Sequence, residues 1–432
     1  MRLYAGGKSF VSIAVIVKDK IYKGGKAMSH FVIVGASHAG ISFAEKLRQQ
    51  GGEDEITIID KIAGFPLQRP PLSKAFLGAD HSEEEGFYLR AEEWFEAQNI
   101  TLRDGVGVTS IERAAKQVVL GDGSIVSYDK LILATGASAR RLPFAEMDCK
   151  NVFVLRDGDD AKGLKAAMAQ AKNAVVIGGG YIGLEAAASM RKHGLSVHVI
   201  EAAPRLLARV ASPEISEVYK ALHESHGVQL HIGNGVSGLK ADDGAIGAVI
   251  LDNGEEIGCD LLLVGIGVAP DISLAEQAGL AVGNGILTDY DYATSDENIF
   301  AIGDNVLAEG RGAIRIESIH NAQYGGHYLA SHFTGAAKPQ DEAPWFWSDQ
   351  YDRKLQSAGL VPPPADDVRQ IMRPGKREGG CSVWSFEAGH LRAVESINDP
   401  QAYMIGKICL EKGNDVPMSA IEDPDFELKT LR

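Results

Sequence analysis

Cysteine is scarce in this chain. Its 432 residues include four cysteines, Cys149, Cys259, Cys381 and Cys409, and no two of them form a C-x-x-C or C-x₄-C pair. Neither a disulfide framework nor a zinc site can be read from this pattern, and we expect no metal site. Isolated cysteines are typical of proteins in a reducing compartment, so the sequence predicts a cytoplasmic location.

Long apolar runs and an excess of basic charge are also lacking. No run of about 18 apolar residues occurs, so we expect no membrane-spanning helix and no membrane partner. The chain carries 43 Lys and Arg against 58 Asp and Glu, a formal net charge of −15. Because an acidic chain binds nucleic acid poorly overall, no nucleic-acid partner is expected. The oligomeric state cannot be read from the sequence.

The N-terminal segment, residues 1–29, differs from the rest of the chain in composition. It contains six basic residues and one acid, with an apolar run over residues 10–17. A signal peptide is one interpretation, but charged residues follow the run directly and no A-x-A cleavage site appears. We expect residues 1–29 to be an N-terminal extension, or a start codon assigned too early with Met28 as the true start.

Glycine is abundant, with 49 residues, and one glycine-rich turn forms a complete G-x-G-x-x-G over 178–183. It follows an apolar strand pattern and opens a helical pattern, and the acid Glu201 stands near the expected spacing of about 20 residues further on. In this motif the glycines allow a tight turn, close approach of backbone amides to a pyrophosphate, and tight helix packing. The sequence therefore predicts an NAD site; a structural glycine turn is the alternative. The predicted NAD residues are Gly178, Gly180, Tyr181, Ile182, Gly183, Glu201 and, after a later strand, Gly267.

Glu201 also carries a prediction about cofactor choice. A carboxylate at this position accepts hydrogen bonds from the ribose hydroxyls and repels a 2′-phosphate, so we expect NADH rather than NADPH. Arg205 lies close by in the sequence and could weaken this preference.

A second, imperfect version of the motif lies over residues 35–40. Gly35 and Gly40 are present, but Ser37 replaces the middle glycine, and Asp60 follows at the spacing typical of a ribose-binding acid. Serine is small and its hydroxyl can donate to a phosphate, so we expect the nucleotide site to survive; a structural turn is again the alternative. We interpret His38, inside this loop, as a local contact rather than as a metal ligand or a base.

Two further turns end buried strand patterns. Ala134, Thr135 and Gly136 follow the first, and Asp304 follows the second, where a carboxylate can reach the ribityl hydroxyls of a flavin. The two glycine motifs begin far apart in the chain, at Gly35 and Gly178. This duplication predicts an α/β protein with two Rossmann-like dinucleotide-binding domains, and the alternating pattern after residue 338 predicts an additional α+β domain.

The order of these motifs resembles that of the two-dinucleotide-binding flavoprotein reductases, which are similar in fold to glutathione reductase. The stretches are ATG at 134–136, GGGYIGLE at 178–185, VGIGVAP at 264–270 and AIGD at 301–304. The resemblance implies FAD and NADH as cofactors. It implies an FAD-binding domain over 30–143 and 267–338, an NAD-binding domain over 144–266 and a C-terminal reductase domain over 339–432. FAD would contact Gly35, Ser37, His38, Gly40, Asp60, Ala134, Thr135, Gly136 and Asp304.

Two stretches narrow the resemblance to the NADH-dependent ferredoxin reductases, such as putidaredoxin reductase and biphenyl dioxygenase reductase. They are QRPPLSKAFL at 68–77 and PWFWSDQYDRKLQSAGL at 344–360. By match, Arg69 and Lys74 lie along the flavin, Lys74 pairs with Glu185, and Trp347 lies near the isoalloxazine. The alternatives are solvated charges, an ordinary helix residue and a core tryptophan. The sequence departs from the family at Ser37, Leu67 and His320.

The absence of cysteine from residues 65–74 affects the expected chemistry. Disulfide reductases of this fold carry a C-x₄-C pair there, and NADH oxidases and peroxidases carry a single cysteine beside the flavin. The resemblance therefore implies direct electron transfer from FAD to a [2Fe–2S] ferredoxin that serves a Rieske dioxygenase or a haem monooxygenase. The alternatives are an NADH oxidase or quinone reductase, or a redox interaction protein like apoptosis-inducing factor.

Contact with an acidic ferredoxin would need a local basic patch on this acidic chain. The candidates are four arginines of the C-terminal domain, Arg353, Arg369, Arg373 and Arg377.

Overall fold

The structure, a computed structural model, describes residues 22–23, 26–78, 81–312 and 314–432. The expectation for residues 1–29 falls largely outside these ranges. None of the helices in the described ranges is long and apolar enough to cross a membrane.

The first part of the chain contains ten strands and three helices within the described ranges. The strands are β1 (Tyr22–Lys23), β2 (Lys26–Ala27), β3 (His30–Val34), β4 (Glu55–Ile59), β5 (Ile100–Arg103), β6 (Val108–Glu112), β7 (Gln117–Leu120), β8 (Ile125–Ser127), β9 (Lys130–Leu133) and β10 (Ala137–Ala139). The helices are α1 (His38–Gln49), α2 (Ala75–Gly78) and α3 (Glu92–Ala97). A 3-10 helix over Pro70–Ser73 precedes α2.

The second part repeats this alternation. Its strands are β11 (Val152–Phe153), β12 (Asn173–Ile177), β13 (Ser196–Glu201), β14 (Gln229–Ile232), β15 (Val236–Asp242), β16 (Ala245–Leu251), β17 (Glu256–Gly258) and β18 (Leu261–Val264). Its helices are α4 (Gly158–Met168), α5 (Tyr181–Lys192) and α6 (Pro213–Ser225).

The third part returns to the first sheet, and a C-terminal part follows it. The third part has β19 (Val268–Pro270), β20 (Val282–Gly283), β21 (Gly285–Thr288), β22 (Ile299–Ala301), β23 (Val306–Ala308), α7 (Ser273–Gln277) and α8 (Ile319–Thr334). The C-terminal part has β24 (Trp345–Gln350), β25 (Arg353–Gly359), β26 (Val368–Pro374), β27 (Cys381–Glu387), β28 (His390–Ile397), α9 (Pro400–Lys412) and α10 (Met418–Glu422).

Two parallel five-stranded sheets share the order of four strands and differ in their edge strand, which is the last of its sheet in the chain in the first and the first in the second. The order is β22-β9-β3-β4-β5 in the first and β11-β18-β12-β13-β14 in the second, and each has a three-stranded antiparallel sheet beside it. We call the first sheet with α1 and α8 the first nucleotide fold, and the second sheet with α4, α5 and α6 the second nucleotide fold. Because β22 follows the second fold in the chain, the first fold is built from two separated segments. The predicted α/β class is confirmed, whereas the domain boundaries remain a prediction.

The central strands are buried on both faces, as parallel sheets require. Val32, Ile33 and Leu131 in the first fold are fully buried, as are Val175 and Val176 in the second. This explains why their sequences are continuously apolar rather than alternating.

Helices α1 and α8 pack closely on the first fold. A Cβ atom on Gly326 would lie 2.7 Å from the Phe43 nitrogen and 2.8 Å from the Ala39 oxygen. Only glycine allows the two helices this approach, which fixes the start of α1 beside the glycine loop.

The C-terminal part is an antiparallel sheet in the order β24-β25-β28-β27-β26, with α9 packed against it. Leu355, Val383 and Ile397 of this sheet share one apolar core with Leu184 and Tyr219 of the second nucleotide fold. The sheet is therefore packed on the second fold, and β24 lies beside α5.

Candidate active site

The two glycine loops have the same local construction. The Gly35 N–H donates to Ile59 O at 2.8 Å, and the Gly178 N–H donates to Ile200 O, also at 2.8 Å. Both glycines have a positive φ, +113° and +111°. A Cβ would lie 2.2 Å from Ala134 O in the first loop and 2.3 Å from a backbone oxygen in the second, so both positions require glycine.

The predicted acidic residues occupy equivalent places at the ends of β4 and β13. Asp60 accepts hydrogen bonds from the Ala36 N–H at 2.6 Å and the Ile62 N–H at 2.9 Å. Glu201 accepts from the Gly179 N–H at 2.7 Å and the Ala203 N–H at 2.7 Å. Each carboxylate therefore braces its own glycine loop, at the position predicted to bind a ribose.

Ser37 fits the first loop without backbone strain. It precedes α1 with φ −101° and ψ −166°, and Gly180 precedes α5 with φ −81° and ψ 177°. These are extended conformations that any residue adopts. A Cβ at Gly180 meets no protein atom within 4 Å, so the space there is open on the side where the loop faces a ligand.

Positive charge gathers around the first loop. The Arg69 guanidinium donates to Arg156 O, and Arg156 Nη2 lies 2.9 Å from Asp304 Oδ2. His38 is buried, and burial together with the charges of Arg69 and Arg156 lowers its pKa to about 4. His38 is thus neutral at physiological pH, and its Nε2 accepts from the Arg69 N–H at 3.4 Å; its interpretation as a loop contact stays a prediction.

Three buried polar atoms around this loop have no hydrogen-bond partner among the described residues: His38 Nδ1, Asn305 Oδ1 and Arg315 Nε. Buried polar atoms are normally paired. The start of α1 also presents free N–H groups and the positive end of the helix dipole. The His38 Nδ1–H and Arg315 Nε–H donors and the helix start fit the anionic diphosphate of a dinucleotide, whereas the Asn305 Oδ1 acceptor fits a hydroxyl donor of the same ligand.

Hydrogen bonds connect the turn after β9 to the turn after β22 in the first nucleotide fold. Asn305 Nδ2 donates to Thr135 Oγ1 at 2.9 Å and to Leu133 O at 3.0 Å, and Thr135 Oγ1 donates to Asp271 O at 2.7 Å. This places the Ala134–Gly136 turn and Asp304 side by side, as their predicted shared site requires.

Arg156 and Arg209 were not predicted from the sequence. Arg156 Nη2 lies 3.3 Å from the Cβ position of Gly136, and Arg209 Nη2 lies 3.0 Å from that of Gly267. Each nucleotide fold therefore has an arginine over the corresponding turn. The two arginines come from non-equivalent places in the chain, so comparing the two halves of the sequence could not have found them.

Lys74 and Glu185 join the two folds. Lys74 Nζ donates to Glu185 Oε2 at 2.8 Å and to Pro70 O at 2.9 Å, and the two side chains are 17% and 1% exposed. The Pro70–Ser73 3-10 helix carries Lys74 toward α5. Ser73 and Ser348, which the sequence did not single out, donate to the same carboxylate at 2.5 and 2.6 Å.

The predicted aromatic residues lie near the start of α5. Trp347 is half-buried on β24, with its ring centroid 5.5 Å from that of Trp345. Tyr181 stacks on Phe346 at 4.6 Å, whereas Ile182 is 44% exposed. Tyr181 and Trp347 are thus brought to the region between the second fold and the C-terminal sheet.

One expectation about the arginines of the C-terminal domain is wrong. Arg373 is buried and donates to four backbone carbonyls, those of Ala420, Asp423, Pro424 and Phe426, so it cannot belong to an exposed basic patch. Arg369 and Arg377 are exposed, and Arg353 is half-buried.

The Arg205 guanidinium forms its hydrogen bonds within the protein. Both of its terminal nitrogens donate to oxygens of Ala208, Ala211 and Ser216. A hollow of about 330 Å³ lined by Leu206, Lys220 and Ile232 lies beside it, near the carboxyl ends of β13 and β14. This end of the second fold is where an adenosine group is expected.

Comparison with known proteins places most of the chain among flavoprotein reductases. Residues 29–326 match the pyridine nucleotide-disulphide oxidoreductase family, and residues 345–432 match the reductase C-terminal family. Rhodocoxin reductase of Rhodococcus erythropolis is 40% identical over 401 residues, which cover 92% of this chain and 93% of that protein.

Two solved structures are similar over almost their full length. The ferredoxin reductase for the CYP199A2 system from Rhodopseudomonas palustris superposes with a TM-score of 0.89 at 38% identity, covering 93% of this chain and 99% of that one. The reductase in the covalent putidaredoxin reductase–putidaredoxin complex gives 0.88 at 35% identity, covering 93% and 98%.

Proposed function

The chain belongs to the pyridine nucleotide-disulphide oxidoreductase family, and from this premise we propose that it is an NADH-dependent ferredoxin reductase. FAD, which the first glycine loop would hold together with Arg69 and Arg156, would supply the chemistry that connects a hydride donor, NADH, to a one-electron acceptor, a [2Fe–2S] ferredoxin. The relatives reported above, rhodocoxin reductase, the ferredoxin reductase for the CYP199A2 system and putidaredoxin reductase, support this assignment. The ferredoxin would in turn serve a Rieske dioxygenase or a haem monooxygenase.

The observation that carries the proposal is the Lys74–Glu185 ion pair. It connects the segment after the first glycine loop to the helix that opens at the second loop. A buried ammonium at the junction of two nucleotide folds supplies a fixed positive field where a flavin and a nicotinamide would meet. The Glu185 carboxylate holds the Lys74 ammonium in place. Residues 65–74 contain no cysteine, so no thiol titrates in this segment.

The other residues position the two nucleotides. The starts of α1 and α5 direct backbone N–H groups at the diphosphates, while Asp60 and Glu201 hold the loops in shape and accept ribose hydroxyls. Arg69 and Arg156 balance the charge of the flavin diphosphate. Holding the two rings in contact turns a bimolecular hydride transfer into an intramolecular one.

Electrons would leave without passing through sulfur. Residues 65–74 contain no cysteine, and Cys259, Cys381 and Cys409 are buried while Cys149 is half-buried. This supports direct delivery to a protein acceptor and disfavours the mechanism of a disulfide reductase. The four free cysteines also support a cytoplasmic location.

Steady-state reduction of cytochrome c by NADH tests the proposal. With FAD-loaded protein, we expect rapid reduction only when a [2Fe–2S] ferredoxin is added, and little with a rubredoxin in its place. Fast oxygen consumption without any carrier would instead indicate an NADH oxidase. Equal rates with and without ferredoxin would reject the proposed acceptor.

A further inference from the structure

A chain of buried hydrogen bonds runs from Glu185 into the C-terminal sheet and back to the second nucleotide fold. Ser348 and Gln350 lie on β24, and His223 lies on α6. The exposed fractions of these three whole residues are 0%, 1% and 0%, and that of the whole Glu185 residue is 2%. This hydrogen-bond chain therefore links α5 and α6 of the second nucleotide fold through β24 of the C-terminal sheet, by groups that are shielded from water.

The chemistry of the groups fixes the direction of every bond. Ser348 Oγ lies 2.6 Å from Glu185 Oε1, and a carboxylate can only accept, so the hydroxyl donates. Gln350 Nε2 then donates to Ser348 Oγ at 3.1 Å. The amide oxygen of Gln350 faces His223 Nε2 at 2.8 Å, so this ring nitrogen carries the proton. Each donor points toward Glu185.

His223, at the far end of the hydrogen-bond chain, has surroundings that agree with this direction. His223 Nδ1 is buried without a hydrogen-bond partner among the described residues, as expected for a neutral ring protonated on Nε2. Burial is the main cause that lowers the pKa of His223 to about 4. The rings of Tyr351 and His226 lie next to it, with Tyr351 at 5.3 Å from His223 and at 3.7 Å from His226.

Aligned donors strengthen one another in a medium of low dielectric constant. The two oxygens of Glu185 divide their partners: Oε2 faces Lys74 and Ser73, and Oε1 faces Ser348. Without the Ser348 donor, Oε1 would lose its hydrogen bond, and the remaining partners of the carboxylate would be Lys74 and Ser73 on Oε2. The C-terminal sheet thus supplies the hydrogen bond to the Glu185 oxygen that does not face Lys74.

We propose that Ser348 is a positioning residue for the reaction with NADH, acting on Lys74 through Glu185 and itself oriented by Gln350 and His223. The inference rests on the proposed function only for its first half-reaction, reduction of bound FAD by NADH. That step needs no ferredoxin, so its outcome is independent of which carrier accepts the electrons.

Stopped-flow reduction of FAD-loaded variants by NADH tests the role. We expect Ser348→Ala to slow the limiting rate about tenfold, the scale of one hydrogen bond to a charged group, with the NADH concentration dependence unchanged. Ser348→Thr retains the hydroxyl and should recover most of the rate. Ser396→Ala is the matched control, because Ser396 is equally buried in the same sheet and donates to Gln356 O at 3.3 Å, outside the chain.

A second readout does not depend on activity. The midpoint potential of the bound flavin should become more negative in Ser348→Ala and remain at the wild-type value in Ser396→Ala. An unchanged potential together with a rate equal to that of Ser396→Ala would overturn the proposal.

The direction of the chain can be measured on the wild-type protein even if Ser348→Ala does not fold. Long-range ¹⁵N NMR of histidine-labelled protein, with the signal assigned from a His223→Asn variant, should show a neutral ring protonated on Nε2. A ring protonated on Nδ1, or a charged ring at neutral pH, would reject the proposed chain.

Discussion

Lys74 Nζ and Glu185 Oε2 lie 2.8 Å apart, although 111 positions separate the two residues in the sequence. The pair is largely buried, and removing one partner of such a pair leaves an uncompensated charge. Each residue therefore compensates the charge of the other, and together they join the segment before α2 to helix α5 of the second nucleotide fold.

Lys74→Ala should slow the reduction of bound FAD by NADH by about 10- to 100-fold, because a preorganised positive charge is lost from the reacting region. Stopped-flow absorbance of the flavin measures this directly. Lys162→Ala is the control, since Lys162 also pairs with a glutamate, Glu84, at 2.8 Å but is 39% exposed. An unchanged rate in Lys74→Ala would remove the role assigned to this lysine.

NADH should be preferred over NADPH because Glu201 occupies the ribose end of the second loop and Arg205 donates to protein oxygens. The ratio of kcat/KM for the two cofactors measures the preference, and Glu201→Gln should reduce it about tenfold by removing the negative charge. Glu255→Gln, on the turn between β16 and β17, serves as the control. A wild-type enzyme that favours NADPH would contradict the assignment.

Ser37→Gly should change FAD affinity by less than about threefold, since Ser37 already has an extended backbone that needs no glycine. Titration of the apoprotein with FAD, followed by flavin fluorescence, gives the affinity. Gly35→Ala is the contrasting variant, because its Cβ would overlap Ala134 O, and it should lose FAD. A large gain in affinity for Ser37→Gly would show that the serine obstructs the diphosphate.

Glu395 predicts a pH dependence of stability. It is fully buried on β28 and accepts from the Ser212 N–H at 3.2 and 3.1 Å, and burial raises its pKa from 4.5 to about 7. The charged and titratable groups that act on it are Glu214, which raises the pKa, and Arg205, which lowers it, with Tyr181 nearby. A carboxyl group that holds its proton more tightly in the folded state stabilises the fold fully below its unfolded pKa.

That stabilisation is lost as the pH rises from 4.5 to about 7, by on the order of 3 kcal/mol. Glu395→Gln cannot ionise, so its thermal midpoint should fall less than that of the wild type between about pH 5 and about pH 8. Glu378→Gln, an exposed position of the same domain, should behave like the wild type. Identical pH profiles for Glu395→Gln and the wild type would refute the effect.

The local parts of the site could be predicted because they are encoded in short spacings. The glycine loops, Asp60 and Glu201 follow from strand–turn–helix patterns, in which one residue type has one geometrical reason to be present. The Lys74–Glu185 pair could be predicted only from the family resemblance, because no sequence spacing indicates a contact between residues so far apart in the chain.

The contacts that were missed are tertiary. Arg156 reaches Asp304 across 148 positions, and Ser348 reaches Glu185 across 163. Arg373 was offered as part of a basic patch because it is one of several arginines in the C-terminal domain. The chain after α10 surrounds its guanidinium with carbonyl oxygens, which no local pattern encodes.

The pairing of β10 with β19 has a consequence for how such a protein can be divided. Ala137 faces Pro270 and Ala139 faces Val268, so the chain leaves the first nucleotide fold and returns to it through neighbouring antiparallel strands. The inserted unit has its two ends a few ångströms apart. A short connection therefore suffices on each side, so we expect that the unit can be exchanged for the equivalent unit of another reductase, provided that the replacement keeps the apolar core shared with the C-terminal sheet.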